Sequence, residues 1–195
     1  MTNNYYEQFA EDFIKNTISV DMSELYKPFL VNLPEGALIL DAGCGSGRDS
    51  LAFKKLGYKV TSIDASETMA RFATKIVGDE VYCLSFKNIN FEKTFDGIWA
   101  CASLLHVPKN ELVSILKKLS NALKINGIMY MSFKYGFTER NSCDGRFFLD
   151  LDEKLSTELI TQIDILSIHS IWVTEDKRSD KKDSKWINIL VTRNQ

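Results

Sequence analysis

Short apolar runs alternate with helical patterns along most of the chain. Apolar segments of strand length lie at residues 37–40, 58–63, 80–85, 95–101 and 127–133. Between most of them, apolar residues recur three and four positions apart, as on one face of an amphipathic helix. Strands that alternate with helices in this way are typical of a parallel sheet covered on both faces. The pattern therefore predicts an α/β fold with a doubly wound, mostly parallel sheet.

Two of the intervening segments have clear signals for the start of a helix. The first follows Ser66, an expected N-cap, and has Glu67 in its first turn, where a carboxylate suits the helix dipole. The second begins at Pro108, a residue suited to the first helical position. Its apolar face consists of Leu112, Ile115, Leu116 and Leu119.

The two ends of the chain depart from this alternation. The first thirty residues have the spacing of two amphipathic helices, which end before Pro34 and Gly36. Near the other end, residues 163–174 and 185–192 are two strand-like runs joined by a polar loop, and we expect an antiparallel hairpin on the edge of the sheet. The alternating charges of that loop indicate solvated surface. We expect one domain over residues 1–195.

Composition and charge exclude several classes of protein. The 195 residues carry a net charge of −2, so no overall field attracts a polyanion, and we do not expect nucleic acid as a partner. The four cysteines form no C-x-x-C pair, so we expect neither a metal site nor a disulfide framework. The N-terminal segment contains acidic residues and no apolar run, so we expect no membrane span and a cytoplasmic location.

Three glycines occupy alternate positions in "ILDAGCGSGRDS", residues 39–50. Gly43, Gly45 and Gly47 lie in the first strand-to-helix turn, where ligands bind in open α/β sheets. Bare backbone allows close approach of a ligand, and the following helix N-terminus favours a negative group. A dinucleotide fingerprint would require a glycine at the position of Arg48, so a nicotinamide cofactor is disfavoured. A turn without any ligand is the alternative.

Two carboxylates end the first two predicted strands. Asp41 precedes the glycine loop, and Asp64 ends the second strand, where an acid can accept hydrogen bonds from a ribose diol. Taken singly, Asp41 can instead orient the loop amides, and Asp64 can cap the helix at Ser66. Together, at this spacing, the two acids favour a nucleoside ligand.

At this point the sequence resembles the class I S-adenosylmethionine-dependent methyltransferases. The resemblance rests on "LDAGCGSGRDS", "VTSIDASETM" and "FDGIWACASLLHV" in this order and covers nearly the whole chain. The run "GSGRDSLAFKKLGYKV" is most similar to small bacterial enzymes of the tellurite-resistance type. The resemblance implies a seven-stranded sheet with its last strand antiparallel, S-adenosyl-L-methionine as cofactor, and residues 1–34 as an N-terminal helical lid. Packing of these helices on the sheet is the alternative.

The resemblance also implies roles for particular residues. It assigns Asp41, Gly43 and Gly45 to the methionine half of the cofactor and Asp64 to the ribose hydroxyls, and Arg48 is expected to pair with the cofactor carboxylate. Neighbours of the adenine and of the methionine portion would be Ala65, Met69, Phe86, Cys101 and Ala102. A methionine at helical spacing is often a core residue instead, which is the alternative for Met69.

Methyl transfer from a sulfonium is an in-line displacement that depends mainly on positioning, so we expect no metal. A general base helps only when the acceptor has a proton to lose, and His106 is our candidate. A structural hydrogen bond near Pro108 is the alternative for this histidine.

Side chains after the fifth and sixth predicted strands open on the same edge as the glycine loop. We expect four of them to bind the acceptor: Tyr135, Arg140, Arg146 and Arg178. Arginines suit a carboxylate or phosphate, so we expect a small anionic methyl acceptor. Exposed salt bridges are the alternative for these arginines.

Other functions remain open at the level of the sequence. A nucleic-acid methyltransferase would often have an Asn- or Asp-Pro-Pro-aromatic signature where this chain has "ACASLLH". A protein methyltransferase and a catalytically inactive S-adenosylmethionine-binding regulatory module are further alternatives. We expect a monomer or a homodimer.

Overall fold

A computed structural model describes residues 2–178 and 184–194. Within this part of the chain one sheet contains β1 (Leu38–Ala42), β2 (Lys59–Asp64), β3 (Val81–Cys83), β4 (Phe95–Ala100), β5 (Leu123–Tyr135), β6 (Glu139–Asn141), β7 (Phe147–Leu151), β8 (Leu166–Glu175) and β9 (Lys185–Arg193). The α-helices are α1 (Thr2–Gln8), α2 (Ala10–Thr17), α3 (Ser23–Leu30), α4 (Arg48–Lys55), α5 (Glu67–Val77), α6 (Lys109–Ala122) and α7 (Glu153–Ile160). Short 3₁₀ helices cover Phe86–Asn88 and Leu104–His106.

The main sheet has the order β3-β2-β1-β4-β5-β9-β8. Strands β1 to β5 pair in parallel, whereas β9 is antiparallel to both β5 and β8. The predicted doubly wound fold of seven strands, with the last strand antiparallel, is confirmed. The strand order reverses between β1 and β4, which is the switch point where ligands bind in such sheets.

Strands β6 and β7 are an addition that the pattern did not predict. They pair with each other antiparallel, and β7 pairs in parallel with the last two residues of β5, Lys134 and Tyr135. Strand β6 has three residues, all of them exposed, so it lacks the alternation of apolar and polar positions that identifies a strand. The pair β6–β7 lies beside the carboxyl end of β5.

The N-terminal segment forms three helices, not the two that we predicted. Helices α1 and α2 meet at Phe9, whose φ of −118° and ψ of 25° are not helical. The backbone of Phe9 still donates to Tyr5 and accepts from Phe13, so the apolar spacing continues across the break. Periodicity alone therefore does not reveal it. Helix α3 packs on the sheet and contributes Tyr26 and Phe29 to a buried cluster with Trp99 of β4.

The predicted helix starts agree closely with the structure. The hydroxyl of Ser66 accepts a hydrogen bond from the backbone of Met69, so Ser66 caps α5 as expected. Helix α6 begins at Lys109 with Pro108 as its N-cap, one position from the prediction. Helix α7, which was not predicted, is capped by Asp152 through the backbone of Leu155.

Strands β8 and β9 form the predicted edge hairpin. The first of them begins at Leu166, later than the predicted residue 163. The charged loop that we interpreted as solvated surface covers residues 175–184, of which 179–183 lie outside the described residues. In the described part the interpretation is wrong for Asp176, which is 8% exposed because its carboxylate is bound by Lys134, Arg178 and Trp186. Among the helices that the structure describes, none is long and apolar enough to cross a bilayer.

Candidate active site

A cavity of about 970 Å³ opens at the carboxyl ends of the parallel strands. At one end it is lined by the glycine loop, Asp64 and Phe86. At the other end it is lined by His106 and the β6–β7 pair, with further walls from β5, β8 and β9. The cavity joins the predicted cofactor residues to most of the predicted acceptor residues.

The glycine loop could not contain larger residues at two of its positions. Gly43 has φ of +82°, and a Cβ there would lie 2.5 Å from Cβ of Ser103. Gly47 has φ of +77°, and a Cβ there would lie 2.9 Å from Val77 and 3.2 Å from Ala73 of α5. Gly47 thus permits the close helix packing for which a dinucleotide fingerprint uses a glycine one position later. The loop keeps its backbone exposed to the cavity.

The carboxylate of Asp64 is held by the loop and by the start of α5. Its Oδ2 accepts from the backbone N–H of Gly45 at 2.9 Å, and its Oδ1 accepts from the N–H of Ser66 at 2.9 Å. Burial raises the pKa of Asp64 above its ordinary value, against these hydrogen bonds. Each oxygen retains a lone pair beyond these two bonds, which suits a ligand diol.

Arg48 lines the cavity while forming a two-fold ion pair with its neighbour. Its Nε lies 2.6 Å from Oδ1 of Asp49 and its Nη2 lies 2.9 Å from Oδ2. Burial alone would raise the pKa of Asp49, but the Arg48 guanidinium and hydrogen bonds hold it below its ordinary value. Asp49 is therefore ionised and fixes the orientation of the Arg48 guanidinium.

The end of β4 brings Cys101 and Ala102 to the centre of the cavity. Ala102 has φ of +51°, and its N–H donates to Oγ of Ser132 at 2.9 Å. Burial raises the pKa of the Cys101 thiol to about 12, so the thiol is protonated at neutral pH. Cys101 thus contributes a protonated thiol to the wall of the cavity.

Both ring nitrogens of His106 have hydrogen-bond partners. Nδ1 lies 2.7 Å from the carbonyl oxygen of Phe147, and Nε2 lies 2.8 Å from the hydroxyl of Tyr6. Because a carbonyl only accepts, Nδ1 carries the hydrogen, and Nε2 accepts from Tyr6. Burial lowers the pKa of His106 to about 4, with a further contribution from the charge of Arg146. The ring is therefore neutral at physiological pH.

Three of the predicted acceptor arginines line the cavity, and each contacts an aspartate. Nε of Arg140 lies 2.8 Å from Asp150, Nη2 of Arg146 lies 2.6 Å from Asp144, and Nη2 of Arg178 lies 2.7 Å from Asp176. The salt bridges of our alternative are thus present on the cavity wall itself.

The fourth predicted acceptor residue, Tyr135, does not line the cavity. Its side chain is exposed, and its hydroxyl donates to Glu153 of α7 at 3.0 Å.

Comparison with known proteins shows which family this chain is similar to. Residues 39–127 match the family described as "Methyltransferase domain". The matched segment runs from β1 through α6 into β5 and includes the glycine loop, Asp64 and His106. The resemblance of the chain to class I S-adenosylmethionine-dependent methyltransferases is thus confirmed. The cofactor that this similarity supports is S-adenosylmethionine.

The similarity to two bacterial relatives covers only part of each relative. The Bacillus subtilis protein YqeM, a methyltransferase by name, is 28% identical over 158 residues, which cover 77% of this chain and 64% of YqeM. The Haemophilus influenzae protein TehB, by name an S-adenosyl-L-methionine-dependent methyltransferase, is 29% identical over 94 residues, which cover 46% of this chain and 33% of TehB. The chain thus spans less than two thirds of the length of either relative.

A solved structure of similar fold is the 1,6-didemethyltoxoflavin-N1-methyltransferase of Burkholderia thailandensis. It has a TM-score of 0.77 and covers 100% of this chain and 91% of its own, at 18% identity. That protein was crystallised with 1,6-didemethyltoxoflavin and S-adenosylhomocysteine. At this identity the similarity shows the fold alone.

Several residues that we predicted to bind the cofactor lie together on the cavity wall. The backbone of Gly43 and Gly45, the carboxylate of Asp64 and the ring of Phe86 all border the same space, as does Ala65. Two predicted contacts are placed elsewhere. Asp41 and Met69 lie behind the wall and are almost completely buried.

Asp41 supports the glycine loop from behind. Its Oδ2 lies 2.5 Å from Oγ of Ser50, which lies 2.8 Å from Oγ of Ser62. Burial raises the pKa of Asp41 to about 8, with a contribution from the charge of Asp49. The carboxyl thus joins α4 to β1 and β2 below the loop.

Sequence reasoning did not find a second polar cluster on the cavity wall. Nζ of Lys134 lies 3.1 Å from Oδ2 of Asp176 and 4.0 Å from the ring centre of Trp186. The indole N–H of Trp186 also donates to Asp176, at 2.9 Å. Lys134 and Trp186 are direct partners in the β5–β9 pairing. Only that long-range register brings them together, so the sequence contains no local signal for the cluster.

Helix α1 contacts both sides of the cavity mouth. On the acceptor side, Thr2 accepts from the backbone of Phe147 at 3.0 Å, and Tyr6 contacts His106. On the side of Asp64, Asn3 donates to the carbonyl oxygen of Ala65 at 3.1 Å. The helix therefore spans the opening.

Proposed function

We propose that this protein transfers a methyl group from S-adenosylmethionine to a small anionic molecule. The observation that supports the proposal is the single cavity that extends from Asp64 and the glycine loop to His106 and Arg146. A cofactor on the first set of residues and an acceptor on the second would share one enclosed space. Such positioning supplies a large part of catalysis by displacement.

The charge of the acceptor end supports an anionic substrate. Among the described residues that line this end, the cations outnumber the carboxylates. The carboxylates are Glu175 and Asp176, and the cations are Lys134, Arg140, Arg146, Lys177 and Arg178. Arg146 also packs 4.1 Å above the ring of Tyr5 and 5.3 Å from the ring centre of Phe148. Nε and Nη2 of Arg146 are bound to Asp144, so an acceptor oxyanion would bind Nη1 or compete with that carboxylate.

His106 is the proposed general base for an acceptor that loses a proton. S-adenosylmethionine, when bound, supplies an electrophilic methyl group. In its neutral form His106 has a free electron pair on Nε2, the atom that Tyr6 now contacts. An acceptor hydroxyl or amine that replaced the Tyr6 hydroxyl would pass its proton to Nε2, and Phe147 would hold the ring through Nδ1. We also propose that α1 and α2 cover the cavity during this step.

Transfer of labelled methyl groups tests the proposal. The protein is incubated with methyl-labelled S-adenosylmethionine and a bacterial cell extract, and anion-exchange chromatography then separates anionic metabolites, neutral metabolites and macromolecules. The Asp64→Ala variant is the negative control. Label among anionic metabolites supports the proposal, and label among neutral ones contradicts the anionic acceptor.

The other outcomes select an alternative function. Label on nucleic acid or protein would make this chain a macromolecular methyltransferase. No label in any fraction, with S-adenosylhomocysteine still binding in calorimetry, would favour the regulatory module.

A further inference from the structure

A buried carboxylate below the cavity joins three elements of the fold. Asp49, in the first turn of α4, accepts from the hydroxyl of Tyr26 in α3 at 2.6 Å and from Nε1 of Trp99 in β4 at 2.8 Å. Two further hydrogen bonds come from Nε and Nη2 of Arg48. Each carboxylate oxygen therefore has two donors, and Asp49 is 6% exposed.

The two aromatic donors are themselves held by packing. The ring of Tyr26 lies edge-on to Phe53 at 4.9 Å and to Trp99 at 5.4 Å. Trp99 is completely buried, and Tyr26 is 7% exposed. Neither donor can turn away from Asp49 without opening this cluster, so the carboxylate has a fixed orientation.

The fixed carboxylate in turn fixes the third nitrogen of Arg48. A guanidinium is planar, so two nitrogens bound to Asp49 determine where Nη1 points. Nη1 has a contact with the carbonyl oxygen of Thr17 at 3.4 Å, which is long for a hydrogen bond. Arg48 and Thr17 both line the cavity. Nη1 is thus the nitrogen of Arg48 that is not committed to Asp49.

We infer that Tyr26, Asp49 and Trp99 are positioning residues that orient Arg48 so that Nη1 binds the carboxylate of the cofactor. This inference rests on the proposed role of Arg48 in cofactor binding. It gives α3 a part in cofactor recognition, although Tyr26 itself acts only through Asp49. Arg48 pays no reorientation cost on binding because its guanidinium is already fixed.

A pair of ligands separates this role from a purely structural one. S-adenosylhomocysteine has the amino-acid tail with its carboxylate, whereas 5′-methylthioadenosine has the same nucleoside and thioether without that tail. A residue that orients Arg48 affects only the first ligand. A residue that merely stabilises the fold affects both ligands alike.

The test measures the affinity of both ligands for Tyr26→Phe by calorimetry. We expect the Kd of S-adenosylhomocysteine to rise about three- to tenfold, which corresponds to the net free energy of one ordinary hydrogen bond, and that of 5′-methylthioadenosine to stay unchanged. Tyr58→Phe is the matched control, because Tyr58 packs against the same cluster. It should change neither Kd, and thermal unfolding verifies that both variants are folded.

A double-mutant cycle with Arg48→Ala completes the test. If Tyr26 acts through Arg48, then Tyr26→Phe has no further effect on S-adenosylhomocysteine binding in the Arg48→Ala background. Equal weakening of both ligands, or an unchanged Kd in Tyr26→Phe, overturns the positioning role. An unchanged Kd in Arg48→Ala instead contradicts the carboxylate role of Arg48 in the proposed cofactor site.

Discussion

The hydroxyl of Tyr6 donates to Nε2 of His106 across 100 positions of the chain, at 2.8 Å. Tyr6 belongs to α1, which spans the cavity mouth, and His106 ends the 3₁₀ helix that follows β4. The bond thus joins the proposed cover directly to the proposed base. Opening of α1 would expose Nε2 to solvent, and closure over an acceptor would bring the acceptor's hydrogen-bonding group into competition with Tyr6.

Removal of the Tyr6 side chain should change the protonation of His106. In Tyr6→Ala water reaches the ring, and we expect the pKa of His106 to rise from about 4 toward the ordinary value of 6.5. Titration of the His106 ring signals by NMR measures this, with His106→Gln to assign them. Tyr6→Phe retains the packing and should produce a smaller rise. An unchanged pKa in Tyr6→Ala would mean that other residues bury the ring.

The lowered pKa of His106 predicts a dependence of stability on pH. Between the folded value of about 4 and the ordinary 6.5, the unfolded chain binds more protons than the folded one. This contribution to stability is therefore complete above pH 6.5 and is lost as the pH falls through 4. In His106→Gln it is absent, so the stability difference between the variant and the wild type should diminish with acidification, by at most about 1.4 kcal/mol per pH unit.

Urea unfolding at pH 7, 6 and 5 measures this difference. The comparison with His106→Gln at each pH removes the shared contribution of the carboxylates, which titrate in both proteins. A difference that stays constant over this range would show that His106 has the same proton affinity in the folded and unfolded states.

The proposed cofactor end could be predicted from the sequence because its residues lie in short contiguous stretches. Gly43 and Gly45 lie in the strand-to-helix turn itself, and Asp64 is the last residue of the next strand. The hydrogen bond that Asp64 accepts from the backbone of Ser66 could be predicted from the N-cap position of Ser66. Local spacing decides all of these, and the parallel pairing of β1 with β2 then brings them together.

The acceptor end was less predictable because it depends on contacts between distant segments. The pairing of β5 with β9 places Lys134 beside Trp186, and the packing of α1 brings Tyr6 to His106. Strand β6 pairs with β7 and places Arg140 on the cavity wall, although its sequence shows no alternation. Tertiary packing determines these contacts, and they cannot be predicted from the periodicity or the turn signals of the sequence.

Substitution of Gly43 tests the role of the glycine loop, and substitution of Gly57 is the matched control. Gly43→Ala forces a side chain into positive φ and against Ser103, so we expect a stability loss of about 1–3 kcal/mol and at least a tenfold weaker S-adenosylhomocysteine affinity. Gly57 has φ of +92° with no atom within 4 Å of an added Cβ. Gly57→Ala should therefore show the backbone strain without the loss of affinity. Equal affinities of the two variants would contradict a role of the loop in the cofactor site.

Arg146 should determine the affinity for the methyl acceptor but not for the cofactor. Its guanidinium lies on the cavity wall beside Tyr5 and Phe148, far along the chain from the glycine loop. With the labelled acceptor fraction as substrate, Arg146→Ala should raise the acceptor KM roughly tenfold or more, as expected for loss of a charge-assisted hydrogen bond. The Kd of S-adenosylhomocysteine should not change. Lys27→Ala, which removes an exposed ion pair with Glu24, is the control and should alter neither quantity. Unchanged acceptor kinetics in Arg146→Ala would mean that its ion pair with Asp144 is purely structural, and would exclude Arg146 from acceptor binding.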